Sequence, residues 1–391
     1  MGSNGMSKRI RPYPILFVDH APAMGGAEHS LLDLLQNLDR RLLTPHLAAP
    51  AGKLAEAATQ RGITVHLTPL PRLRRSPHAL INWHKGIRML MTLADTVNAA
   101  AIYANTVRSA VYAALAARLG QRPFVWHMHD FWLTEERPSS LWPDTLLKQL
   151  LCAQAQLIIT NSKATADHLP PNYHYVTIYN GIDPDKFRPQ NNGRPFRTRF
   201  QIPHHAPLVG MVGRLRPWKG AHRFITLAEL IHQQMPHVHF VIVGGTPLSE
   251  DDSYTNKIHD QAVAAGLGNR CHFTGHLEDV RPALAAIDVF VHPGDPEPFG
   301  LVNIEAMAMQ KPVVAFAHGA LPEIVVEGET GFLVPPGDVS ALAAATLKLL
   351  QDAQLRQRMG KNGRFHVLQQ FSKERMVRQI EQNLLTMIEQ A

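Results

Sequence analysis

The feature that most limits what this chain can fold into is an alternation of short apolar runs and helical segments that fills its first half, breaks, and starts again. Residues 14–18, 46–49, 63–67, 101–104, 124–127, 157–160 and 175–178 are runs of strand length, and runs of that kind read as strands covered on both faces. Between them Leu31, Leu32, Leu34, Leu35 and Leu38 recur at helical spacing, and 107–119 is a second helical segment. Strand and helix in alternation predict a parallel sheet with helices on both sides. Residues 188–207 are rich in Pro, Asn, Arg and Gly and lack periodicity, which marks a domain boundary and its flank. The pattern then resumes with strand-like runs at 208–212, 239–243, 289–292, 312–315 and 332–334, and ends in a stretch that is helical almost throughout. A chain of 391 residues is too long for one ordinary core. The expected division is a first domain over 1–190, a second over 191–370, and a helical tail over 371–391.

Composition narrows the classes. With 45% apolar and 18% charged residues the chain is globular. No stretch approaches the roughly 18 uncharged apolar residues of a membrane span. Cys152 and Cys271 are the two cysteines, too few for a disulfide framework or a cysteine zinc site, and they fit a reducing compartment. Residues 1–10 lack the apolar stretch of a secretory signal, and Met1 to Gly5 read as an added leader. The expected location is cytoplasmic. The net charge of +7 lies wholly in residues 1–190, with 20 basic against 13 acidic side chains, while 191–391 carry 19 of each. A basic half of this kind suits an anionic partner, either a membrane surface or a phosphorylated substrate, and Arg72, Arg74 and Arg75 are its densest cluster. The basic residues are otherwise scattered, so nucleic acid is not an expected partner.

Residues 291–315, VHPGDPEPFGLVNIEAMAMQKPVVA, carry the strongest chemical signal. A strand ends at His292, a Pro/Gly/Asp loop carries Glu297, and Phe299-Gly300 opens a helix. Glu305, eight residues on, is expected about two turns into it. Backbone N–H groups around Phe299, Gly300 and Leu301 would face a ligand at a positive helix end, suited to hydroxyl or phosphate oxygens. A second carboxylate on that side can accept from a ribose diol. Gly213-Arg214-Leu215 and Lys219-Gly220 follow the strand at 208–212. An Arg and a Lys five apart across a strand–helix turn can both reach a diphosphate.

With these motifs in hand, the chain resembles the retaining glycosyltransferases of family 4 over nearly its whole length, from about Ile15 to Phe371. The resemblance implies the GT-B fold: two Rossmann-like doubly wound domains facing a central cleft, with a C-terminal helix crossing back to the N-terminal domain. It implies that Glu297 and Glu305 form the E-x7-E motif, Glu297 facing the donor sugar and Glu305 holding the ribose. It further implies that Arg214 and Lys219 neutralise the donor diphosphate, so that neither a metal nor another cofactor is expected. Gly25-Gly26-Ala27-Glu28 matches the family's GGAE, with Gly26 close to a ligand, and is not the G-x-G-x-x-G of nicotinamide folds. Of His127 and His129 in the run HMHD, His129 is the better match to the histidine that lines the family's cleft. Gly275, after Phe273-Thr274, falls where family members hold the base. Asp183-Pro184-Asp185 reads as a turn, not a metal motif.

The implied activity is retaining transfer of a sugar from a nucleoside diphosphate sugar, UDP favoured over GDP, to a saccharide or lipid-linked acceptor in surface polysaccharide or glycoconjugate synthesis. The basic first half adds a peripheral contact with the inner face of an anionic membrane. The alternatives are a nucleotide-sugar 2-epimerase of the same fold and a non-catalytic nucleotide-binding protein.

Overall fold

The structure, a computed structural model, describes residues 11–71, 78–131, 144–245 and 253–390. Arg72, Arg74 and Arg75 lie outside them. The chain divides into two compact units, Met1–Asn180 with Lys373–Ala391, and Gly181–Ser372.

The strands of the first unit are β1 (Tyr13–Val18), β2 (Leu43–Ala49), β3 (Thr64–Leu67), β4 (Ala101–Ala104), β5 (Phe124–Met128), β6 (Leu157–Thr160) and β7 (Val176–Thr177). Its helices are α1 (Gly26–Asn37), α2 (Lys53–Gln60), α3 (His78–Thr96), α4 (Val107–Leu119), α5 (Asp144–Gln154) and α6 (Lys163–Ala166). The strands form one parallel sheet in the order β3-β2-β1-β4-β5-β6-β7. Alternation along each strand sorts side chains between two cores. Ile15 and Phe17 pack with Leu31, Leu35, Leu47 and Tyr103 on one face; Leu16 and Val18 pack with Ile102, Tyr112 and Trp126 on the other. Alanines dominate the buried side of α4 and let its backbone lie close to the sheet. Its start is fixed by a reciprocal cap: Thr106 Oγ1 accepts from the Ser109 N–H at 3.3 Å, and Ser109 Oγ from the Thr106 N–H at 2.9 Å.

The second unit has β8 (Leu208–Val212), β9 (His239–Val243), β10 (Cys271–Phe273), β11 (Val289–His292), β12 (Val313–Phe316) and β13 (Gly331–Val334). Its helices are α7 (Arg194–Arg199), α8 (Ala221–Gln234), α9 (Ser253–Ala264), α10 (Arg281–Ala286), α11 (Leu301–Ala308), α12 (Leu321–Ile324), α13 (Val339–Gln351) and α14 (Ala353–Gln370). Its sheet is again wholly parallel, in the order β10-β9-β8-β11-β12-β13. Both sheets are thus doubly wound, with the strand order reversing between β1 and β4 and between β8 and β11.

The segment 188–207, which lacks periodicity in sequence, contains α7. Phe196 and Arg197 of this helix are buried, and the Arg197 guanidinium donates to the carbonyls of Pro203, Ala206 and Ala286 and to Asp288 at 2.7–3.0 Å. One arginine therefore fastens the entry of the second unit to its sheet, a role that composition does not announce.

The last helix, α15 (Lys373–Gln390), belongs to the first unit. Met376, Val377, Ile380, Leu384 and Met387 form its apolar stripe and share a core with Ile15, Leu31 and Ile178. Each fully buried aliphatic side chain of this kind contributes about 1.5–3 kcal/mol, so the stripe holds the chain's end on the first sheet. Ser30 Oγ in α1 bonds Asn180 Oδ1 at 2.9 Å and Met376 Sδ at 3.4 Å.

Candidate active site

Ligand sites in doubly wound sheets lie beyond the carboxyl ends of the strands, where the order reverses. In the second unit that point is between β8 and β11. β8 runs into Gly213-Arg214, then a single 3-10 turn, Pro217–Lys219, and Gly220 starts α8. Gly220 has φ +75°, and a Cβ there would lie 2.1 Å from the Pro293 carbonyl oxygen. Only glycine lets the β8 turn sit against the loop after β11. Two further ties hold that loop. The Asp295 N–H donates to the Trp218 carbonyl at 2.7 Å, and Arg223 of α8 donates to the Pro293 carbonyl at 3.1 Å while pairing with Asp295 at 2.8 Å. Arg223, which the sequence does not distinguish from a surface cation, thus positions the loop that carries Glu297.

Glu297 is clamped from its other side by the turn after β12. The Ala320 N–H donates to the Glu297 carbonyl at 3.0 Å. Gly319 has φ +56°, and a Cβ there would lie 2.7 Å from the Glu297 backbone N and O. The Glu297 side chain, 14% exposed, accepts a hydrogen bond from Lys219 Nζ. Burial by itself would raise this carboxyl. The Lys219 ammonium against it, with Arg214 nearby, overrides burial and holds it below the usual glutamate value. His292 Nε2 lies 3.8 Å from Glu297 Oε1, but burial depresses the imidazole to about 4 despite the carboxylate beside it. At neutral pH it is uncharged, and Lys219 is the charge partner. Arg214 is exposed at the end of β8.

Other expected residues gather on the same sheet edge. The Gly213 N–H donates to the Val243 carbonyl at 2.9 Å, Leu215 N–H to Gly245 O at 3.2 Å, and Gly244 N–H to Gly275 O at 3.1 Å. The turns after β8, β9 and β10 are thereby stitched together, which brings Gly213 and Gly275 to one rim. Gly300 caps α11, whose first residue is Leu301. Glu305 is therefore the fifth helical residue, a little over one turn in rather than two, because the loop extends through Gly300. It is half-buried. Phe299 is buried and meets Phe371 edge-on at 5.8 Å between ring centres. Its side chain is core, which leaves its backbone as the part available to a ligand. Asp183 accepts from the Asp185 and Lys186 N–H groups at 3.0 and 3.3 Å and shapes a turn.

In the first unit the order reverses between β1 and β4. Gly25 and Gly26 begin α1, and Glu28 reaches back to the Gly25 N–H at 2.8 Å, so the GGAE run caps its own helix. His129, half-buried past the end of β5, contacts Asn105 Oδ1 through Nε2 at 3.1 Å. Asn105 Nδ2 donates to Asp19 Oδ2 at 2.8 Å and to the Ala27 carbonyl at 3.2 Å. His127 is fully inside, with Nδ1 2.5 Å from the Tyr103 hydroxyl and its ring 3.8 Å from that of His129. Burial lowers the pKa of both histidines, His129 to about 3, so both are neutral. Burial also raises the Asp19 carboxyl. Motif reading misses Asp19 and Asn105, which join His129 in one hydrogen-bonded chain at this edge. The signal available was position: each is the polar residue directly after a strand that flanks the reversal.

Comparison with known proteins bears on the family and the fold. Residues 24–186 match the family model "Glycosyltransferase Family 4", and residues 194–366 match "Glycosyl transferases group 1". A lipopolysaccharide core biosynthesis mannosyltransferase, LpcC, of Rhizobium leguminosarum bv. viciae is 33% identical over 202 residues, 51% of this chain and 56% of that protein. A D-inositol 3-phosphate glycosyltransferase of Corynebacterium efficiens is 32% identical over 234 residues, 56% and 54% of the two chains. The chain thus spans little more than half the length of these curated relatives. Among solved structures, Anabaena Alr3699/HepE in complex with UDP superposes with a TM-score of 0.82 at 28% identity, over 95% of this chain and 100% of that one. The same protein is also known with UDP-glucose. With both halves matched in order and the doubly wound pair of sheets observed, the chain is a GT-B protein of the glycosyltransferase family 4 and group 1 type.

Proposed function

We propose that this protein transfers a sugar, with retention of anomeric configuration and without a metal, from a nucleoside diphosphate sugar to a saccharide or lipid-linked acceptor. The observation that carries the reading is the Lys219–Glu297 pair at the reversal of the second sheet, with Arg214 exposed on the same rim. A carboxylate kept ionised by a lysine can accept hydroxyls of a donor sugar. Arg214 and Lys219 together supply fixed positive charge where a leaving diphosphate gains negative charge. In this reading Glu305 binds the ribose. Gly213, Gly275 and the backbone of Phe299, Gly300 and Leu301 form the nucleotide's cradle; in the first unit Gly26 and His129 are the residues assigned to substrate contact. UDP is the favoured nucleotide, in keeping with the UDP complex of the 28%-identical HepE.

Membrane contact enters the reading through α3. Ile81, Lys85 and Arg88 are exposed at helical spacing, with Leu80 and His84 beside them. Exposed apolar and basic side chains on one helix suit an anionic lipid surface.

The test is thermal shift with UDP, GDP and ADP, then nucleotide release from the matching sugar nucleotide with and without an acceptor pool. Acceptor-dependent release, with the anomeric configuration of the product preserved by NMR, supports the reading. Release with no acceptor requirement and a 2-epimerised sugar overturns it in favour of an epimerase; nucleotide binding without turnover overturns it in favour of a binding protein.

A further inference from the structure

We propose that Asp19 and Asn105 are positioning residues that lock His129 in one tautomer, proton on Nε2, so that its Nδ1 lone pair is presented to a substrate hydroxyl.

Donors and acceptors fix the orientation of each group in this chain. The Ala27 carbonyl oxygen can only accept, and it lies 3.2 Å from Asn105 Nδ2. The Ala21 N–H can only donate, and it lies 2.8 Å from Asp19 Oδ1. Asp19 Oδ2, the carboxylate's other oxygen, is 2.8 Å from the same Asn105 Nδ2. The Asn105 amide therefore has one workable orientation, with NH2 toward Asp19 and Ala27 and Oδ1 toward His129. A carbonyl oxygen 3.1 Å from His129 Nε2 requires that nitrogen to carry the proton. The remaining ring nitrogen, Nδ1, is buried and has no hydrogen-bond partner among the described residues. A buried acceptor left unmatched costs free energy, and a substrate hydroxyl that reached it would remove that cost. Burial keeps the imidazole neutral, so the lone pair is present at physiological pH. Asp19 and Asn105 follow β1 and β4 directly, the two strands between which the sheet order reverses. The chain Asp19–Asn105–His129 thus spans the reversal point.

The functional half of this proposal rests on His129 belonging to the transfer site; the tautomer half does not. The experiment is 15N–13C correlation NMR on protein labelled at histidine, with His129 assigned from the signal lost in His129→Gln. The expected wild-type result is the Nε2–H tautomer with no titration down to pH 5. A wild-type Nδ1–H tautomer overturns the proposal without any variant. In Asp19→Asn the new amide can offer oxygen to Ala21 N–H or to Asn105, not both. Where it serves Ala21, its NH2 meets the Asn105 NH2, which the Ala27 carbonyl still holds, so the grip on the Asn105 amide is weakened and the Nδ1–H tautomer of His129 should become detectable. Asn105→Ala removes the acceptor altogether and should give a mixture.

Release of UDP from UDP-glucose and of GDP from GDP-mannose is followed beside the spectra, with nucleotide affinity as the check that the second unit is intact. We expect kcat to fall about 10–100-fold with KM for the donor little changed, the scale on which partners that orient a functional histidine act. An unchanged tautomer in both variants overturns the chain of positioning. A changed tautomer with undiminished kcat overturns the role in transfer, and that failure falls on the placement of His129 in the site.

Discussion

Replacing Lys219 with methionine tests the electrostatic core of the site. In the folded protein Glu297 is 14% exposed and Lys219 23%, so the pair lies between a surface ion pair, worth about 0–1 kcal/mol, and a buried one whose disruption costs about 3–5 kcal/mol. An intermediate value of about 2 kcal/mol is expected, which for a unit of this size is a fall in Tm of about 4–8 °C. The cost comes from the carboxylate stranded without its ammonium, so it depends on pH. With Lys219 present, Glu297 is held below the ordinary glutamate value. That stabilisation is complete above the unfolded-state pKa of about 4.3 and is lost as pH falls through the folded value. In the variant burial dominates and the carboxyl takes up a proton more readily. The difference in Tm between wild type and Lys219→Met should therefore be largest near pH 8 and shrink toward pH 5. The double variant Lys219→Met, Glu297→Met removes both charges and should be more stable than Lys219→Met alone. Differential scanning calorimetry across pH 5–8 reads all three. A pH-independent loss, or a double variant destabilised by the sum of the singles, would refute the reasoning. Single-turnover transfer should fall by about 10²–10³ in Lys219→Met, the loss typical of removing one preorganised donor from a site of developing charge; an undiminished rate would take Lys219 out of the chemistry.

Glu305→Ala should weaken binding of free UDP, raising KM more than it lowers kcat, because a ribose contact is present in substrate and product alike; unchanged affinity by calorimetry would remove Glu305 from the ribose site. Transfer should survive EDTA if Arg214 and Lys219 carry the diphosphate charge, whereas loss on chelation restored by Mn²⁺ would return attention to acidic groups. Arg223→Ala frees the loop after β11 without touching the donor, and kcat should fall while Tm drops by only a few degrees; equal rates would mean that the Gly220 and Gly319 contacts alone hold Glu297. Lys85→Gln with Arg88→Gln should weaken flotation with anionic liposomes by about 1 kcal/mol per side chain, most visibly at low salt, and identical flotation would remove α3 as a membrane face.

The fold was legible where burial on both faces leaves an unbroken apolar signature. The runs that became β1, β4, β5, β6, β8, β9, β11 and β12 are visible as sequence because helices cover each strand twice. β10 has three residues and is too short to stand out as a run. α7 was hidden because a six-residue helix starting with Arg-Pro presents no full turn of apolar spacing; what fixes it is Arg197, whose partners at 203, 206, 286 and 288 are brought together only by the fold.

The same division runs through the site. Glu297, Glu305, Arg214 and Lys219 could be picked out because they sit in compact local patterns, each within one strand–loop–helix unit. Their relation could not be read that way. Lys219 and Glu297 are 78 residues apart, and their contact depends on β8 lying beside β11 as well as beside β9, the next strand in sequence. Asp19 and Asn105, separated by 86 residues, meet for the corresponding reason in the first sheet, since β1 neighbours β4. In each case the partner is the polar or charged residue just past a strand that flanks the reversal of order. Polar groups able to meet a ligand are therefore expected among the residues that follow the two strands on either side of the reversal. In the first sheet these are Asp19 and Asn105, and in the second Gly213-Arg214 with the loop that carries Glu297. The cause is geometric: at that point the two flanking loops leave the sheet in opposite directions and open a crevice, so polar groups there can be left facing a ligand instead of being covered by the protein's own chain.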